Sequence, residues 1–90
     1  MKIPMVGQQY SFTMNDTPFT GEVAEVFRTP GGADGEVTII MMSEHPPADG
    51  AQCSLPVGDG RTVSGFIERV MPYSGVFTFS LRTLFPPEDA

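Results

Sequence analysis

The stretch Thr20-Gly21-Glu22-Val23-Ala24-Glu25-Val26 returns later in the chain as Ser64-Gly65-Phe66-Ile67-Glu68-Arg69-Val70. In each, a hydroxyl residue and a glycine precede two β-branched residues spaced three apart. A regular strand switches face at every residue, so this spacing sends Val23 and Val26, or Ile67 and Val70, to opposite sides. One extra residue in a β-bulge brings both back to the inside and bends the chain. The glycine two positions earlier suits the bend of a coiled barrel strand. A helix over 21–28 matches the spacing but is too short and too rich in β-branched residues to hold by itself.

The similarity extends outward from these bends into a repeat over 9–42 and 52–84. Gln9, Ser11 and Asp16 correspond to Gln52, Ser54 and Asp59, and Val37, Thr38, Ile39 and Met41 to Phe77, Thr78, Phe79 and Leu81. The offset between copies drifts from 43 to 44 and then falls to 40. The loss falls in the loop between the last two strands of each copy, where insertions and deletions are tolerated.

Alternation places strands over 8–14, 19–28, 36–43, 52–57, 61–71 and 76–84. Asn15-Asp16-Thr17-Pro18, Gly58-Asp59-Gly60 and Pro72-Tyr73-Ser74-Gly75 read as turns, and Thr29 to Gly35 as a hairpin loop. Residues 43–51, with His45-Pro46-Pro47 and Asp49-Gly50, link the copies. Pro56 withholds a donor and points to an edge position, and 85–90 leaves the sheet as a flexible tail at Pro86-Pro87. Six strands with short turns and no helical pattern predict one all-β domain over 1–90. Its architecture is a small six-stranded antiparallel barrel built from two three-stranded units, with a two-sheet sandwich as the alternative. The shared core is expected from Tyr10, Phe12, Val23, Val26, Val37 and Ile39 together with Cys53, Leu55, Ile67, Val70, Phe77 and Phe79.

From Cys53 to Val70 the chain has a short strand, a glycine-rich turn and a Ser-Gly bend. In this it is similar to the second-domain barrels of translation elongation factors. The resemblance covers about a fifth of the chain. It implies a small barrel and carries no activity with it.

Eleven acidic residues against five basic ones give a net charge of −6. That balance argues against the phosphate-neutralising surface of a direct nucleic-acid binder. No segment has the length of a membrane span. The start, Met1-Lys2-Ile3-Pro4-Met5, lacks the apolar run of a signal peptide, so a cytoplasmic location is expected. One histidine and one cysteine remove most catalytic and metal constellations. His45, Asp49 and Cys53 form the one imaginable nucleophilic group, but Cys53 alternates in phase with Leu55 and Val57 and belongs to the core. The glycine pairs lie between strands and not before a helix, so they do not make a phosphate loop. Glu22 with Glu25, and Glu44 with Asp49, lack the ligand spacing of a calcium loop. No enzymatic activity, cofactor or metal is expected.

Strand 36–43 differs from the others because Ile40 and Met42 occupy its outer face. A strand apolar on both faces is covered by something, whether a terminal segment carrying Ile3, Met5 or Phe85, or another subunit. The expected interaction surface is therefore Ile40 and Met42 with Glu22, Glu25 and Glu36, and the expected partner is a protein, with homodimer formation included. An acidic binding module of this size suits an inhibitor or regulator, phage-encoded or bacterial accessory, of a nucleic-acid-handling machine. One alternative is an oligomeric barrel holding a small ligand at a subunit interface, anchored by Arg28, Arg69 and Arg82. The other is a structural component of a virion or larger assembly.

Overall fold

The computed structural model describes residues 4–28, 35–58 and 60–84. Six antiparallel strands close into a barrel in the order β1-β2-β3-β6-β5-β4. They are β1 (Gln9–Met14), β2 (Thr17–Arg28), β3 (Glu36–Ser43), β4 (Gln52–Pro56), β5 (Thr62–Tyr73) and β6 (Val76–Leu84). Among the described residues there is no helix. The sandwich alternative is set aside because β1 pairs with β4 and closes the ring. Four expectations fall outside the described residues: the 29–34 part of the hairpin loop, the place of Asp59 in its turn, the tail at 85–90, and the covering roles of Ile3 and Phe85.

The bent strands make closure possible. The first half of β2 pairs with β1, from Met14 opposite Thr17 to Gln9 opposite Glu22, and its second half pairs with β3, out to Arg28 opposite Val37. β5 divides itself between β4 and β6 in the same way. The register of β2 against β3 shifts between Val23 and Glu25, and that of β5 against β6 between Glu68 and Met71. These are the bulges that the spacing of three requires, the second displaced slightly along its strand. Val23 and Ile67 end fully buried, while Val26 and Val70 pack against the core from part-buried positions.

Registers in the two halves correspond under the offsets read from the sequence. Tyr10 lies opposite Gly21 as Cys53 lies opposite Gly65, and Val23 opposite Met41 as Ile67 lies opposite Leu81. The correspondence starts earlier than the sequence suggests. Gly7 N–H and Gln8 C=O bond the two backbone groups of Val23, and Gly50 N–H and Ala51 C=O bond those of Ile67. Pro4 and Pro47, at matching positions, are both buried. The segment before β1 and the end of the linker before β4 are therefore one short turn used twice. It was illegible because its only shared letters are a proline and a glycine.

The interior is filled by side chains. Phe79, Ile39, Met41, Leu55, Ile67, Leu81, Val23 and Val37 are all less than 2% exposed. Phe19 extends the core toward the barrel end, its ring 5.7 Å from Phe12 and 5.9 Å from Phe79. Phe77 is only half-buried, and Met41 and Leu81 join the core beyond the expected set.

Pro56 marks where pairing fails. β1 and β4 pair only through Thr13 opposite Ser54 and Met14 opposite Cys53. Near Pro56, which has no N–H to offer, the Tyr10 hydroxyl instead donates to the Pro56 carbonyl at 2.9 Å. The expected edge strand is thus a member of a closed ring with one short seam.

The two glycines are pressed against the next strand. A Cβ on Gly65 would lie 2.8 Å from the Arg82 carbonyl oxygen and 2.7 Å from Leu55 Cδ1, and one on Gly21 would lie 2.9 Å from the Met42 carbonyl oxygen. Substituting either by alanine overpacks the barrel, and each should lose about 1–3 kcal/mol of stability. Phe79→Ala should lose about 3–5 kcal/mol. Urea denaturation of the three variants measures all of these; an unchanged Gly65→Ala midpoint would show that the close approach is not needed.

Candidate functional site

The outer face of β2, β3, β6 and β5 is a candidate site assembled by register. Directly opposed residues share a face, so the ladders define rows across the sheet. One row reads Phe27, Thr38, Arg82, Phe66; the middle row reads Glu25, Ile40, Ser80, Glu68; the third reads Glu22, Met42, Thr78, Met71. Each row thus brings in at least one large apolar side chain. Phe27, Phe66 and Met71 are 40%, 39% and 54% exposed. Ile40 and Met42 are half-buried, flanked by these neighbours. Met5 does not fold over the face, being 72% exposed.

The charged residues expected here divide into two kinds. Glu22 and Glu25 are exposed on β2. Glu36 is tied down: its side chain, 15% exposed, accepts a hydrogen bond from Arg82, which also reaches Glu68 at 3.5 Å. The Arg82 guanidinium additionally lies over the Phe66 ring, 5.7 Å from its centroid. Its protonated form is favoured first by the Glu36 hydrogen bond and charge, then by Glu68. Arg82 is therefore an internal tie of the face and not a vacant ligand anchor. The other two expected anchors stand in other rows than Arg82. Arg28 sits at the end of β2 opposite Val37, in the phase of the core residues. Arg69 is exposed in the β5 bulge with φ of 59°, a left-handed conformation unfavourable for a residue with a Cβ.

Two clefts flank the face, one above each glycine bend. The first, about 560 Å³, is lined by Gln9, Gly21, Glu22, Met42 and Ser43, among others. The second, about 420 Å³, is lined by Gln52, Gly65, Phe66, Arg82 and Thr83. These are corresponding positions in the two halves, with different chemistry: Glu22 and Met42 stand where the other cleft has Phe66 and Arg82. Sequence reasoning missed Phe27 and Phe66. The available signal was that Phe66 falls out of phase with the buried Ile67, whereas Met71 reaches the face only through the bulge between Glu68 and Met71.

The imagined nucleophilic group does not form a reactive thiol. Cys53 is 4% exposed and its Sγ lies 3.8 Å from the Ala51 carbonyl oxygen, whereas His45 and Asp49 are exposed. Burial pushes the Cys53 thiol up to about 11 and the Tyr10 hydroxyl up to about 12. Among the described residues, no three His, Cys, Asp or Glu side chains gather as a metal site. No described helix is long and apolar enough to cross a membrane. No family model, curated protein or solved structure matches the chain.

Tyr10 and Cys53 both hold their protons more tightly folded than unfolded, where their values are near 10 and 9. Above pH 9 the native state therefore binds more protons than the unfolded one, and stability falls as pH rises toward 12. Urea midpoints between pH 8 and 11 should show this decline, and Tyr10→Phe combined with Cys53→Ala should flatten it. At neutral pH, Tyr10→Phe should lose roughly 1 kcal/mol for the bond to Pro56. A wild-type midpoint that holds steady to pH 11 contradicts the assignment.

Proposed function

We propose that the chain is a non-enzymatic protein-binding module whose docking surface is the outer face of β2, β3, β6 and β5. The observation that carries this reading is the gathering of Phe27, Ile40, Met42, Phe66 and Met71 from β2, β3 and β5 onto one face. Such a face combines large apolar side chains with a partly polar rim, a mixture that non-obligate interfaces share. Glu22 and Glu25 make that rim acidic on the β2 side. The matching partner presents an apolar patch bordered by lysine or arginine. Proteins that handle nucleic acids carry basic surfaces, and a small barrel of net charge −6 is steered toward them. The role that follows is inhibition or regulation of such a machine by occlusion.

Affinity capture from the source cell, comparing wild type with the Ile40→Thr/Met42→Thr variant, tests this reading. Full burial of each side chain gains about 1.5–3 kcal/mol, of which the half-buried fraction is already realised. The variant should therefore bind its partner roughly tenfold or more weakly, at about 1.4 kcal/mol per tenfold, with an unchanged circular dichroism spectrum. A folded variant that captures the same protein equally well sinks the assignment of this face.

A further inference from the structure

We propose that a second copy of the chain occupies this face, mated face to face about a twofold axis running along the β3·β6 seam. The inference rests on the reading of the face as a docking surface and adds the identity of the occupant. Such an axis sets β3 over β6 of the partner subunit and β2 over its β5. Residues level with one another on either side of the seam then meet across the interface.

The side chains along the seam suit that geometry. Three successive cross-strand pairs join a large residue to a small one: Ile40 with Ser80, Met42 with Thr78, and Arg82 with Thr38. Thr38 and Ser80 are each 7% exposed and form the floor between the larger side chains. The twofold places Ile40 over Ser80 of the partner subunit and Met42 over its Thr78, so that each projection meets a recess. Every contact occurs twice, which closes the pair and leaves no free copy of the patch.

Charge follows the same pattern on the flanks. β2 carries Glu22 and Glu25, while β5 carries exposed Arg69 in its bulge, between the levels of Glu68 and Met71. Setting β2 against β5 of the partner subunit brings Arg69 of each copy to the two glutamates of the other. Glu68, the acid that would oppose Glu25, is bonded to Arg82. A heterologous partner and a second copy compete for the face, so the monomer is the form that engages other proteins.

Sedimentation velocity across the micromolar range tests the pairing on the wild-type protein itself. A concentration-dependent dimer is expected, and a wild type that stays monomeric overturns the proposal. Ile40→Thr/Met42→Thr should remain monomeric over the same range; a dimer that ignores this change lies on another face and overturns it too. Glu25→Arg and Arg69→Glu should each weaken the dimer about tenfold, and the two together should regain most of the loss. Failure of the double exchange to recover overturns the axis. A monomeric wild type that still captures a partner through Ile40 and Met42 ends this inference and leaves the docking reading standing. A monomer with no such capture ends both.

Discussion

Closure of six strands around so narrow a core depends on two strands that bend sharply enough to belong to both sides of the ring. β2 and β5 each serve one neighbour with their first half and another with their second. Gly21 and Gly65 permit this because a side chain at either would collide with the carbonyl of Met42 or Arg82. The bulges then turn the remaining residues back into phase, so Val23 and Ile67 reach the centre without losing Val26 and Val70. Remove the close approach and the ring either opens or loses its filled interior.

The same bend creates the candidate face. As β2 and β5 turn away from β1 and β4 they come to lie beside β3 and β6, bringing Phe27 and Phe66 into the row of Thr38 and Arg82 and Met71 into the row of Met42. The ion pair of Arg82 with Glu36 and its stacking on Phe66 hold one corner of that face in place. Fold and site are therefore consequences of one backbone device.

Much of the architecture was legible because the signals were local. Val23 with Val26, and Ile67 with Val70, announce a bulge through spacing alone, and β3 and β6 announce themselves through alternation. The face was legible only where one strand sufficed, at Ile40 and Met42. Phe27 and Phe66 join it through ladder register, a property of strand pairs that no single segment encodes. Arg82 meets Glu36 across 46 positions of chain, which neither charge nor spacing reveals. Pro56 was read correctly as a missing donor but not in its setting, because local sequence cannot say whether the ring closes around it.

The two contacts between the halves are unequal. β3 and β6 pair along the whole of β3, from Glu36 opposite Leu84 to Ser43 opposite Phe77, while β1 and β4 share only the rungs at Thr13 and Met14. Beyond those rungs the Tyr10 hydroxyl to the Pro56 carbonyl supplies a further polar tie. Mechanically, the molecule is a clasped book, with a long spine on one side and a short fastening on the other. Thermal breathing is directed to the fastening, since separating it breaks the fewest backbone bonds. Because the spine also carries Ile40 and Ser80, the candidate face lies along the more extensively paired of the two seams. A partner seated there would leave the opposite side free to open.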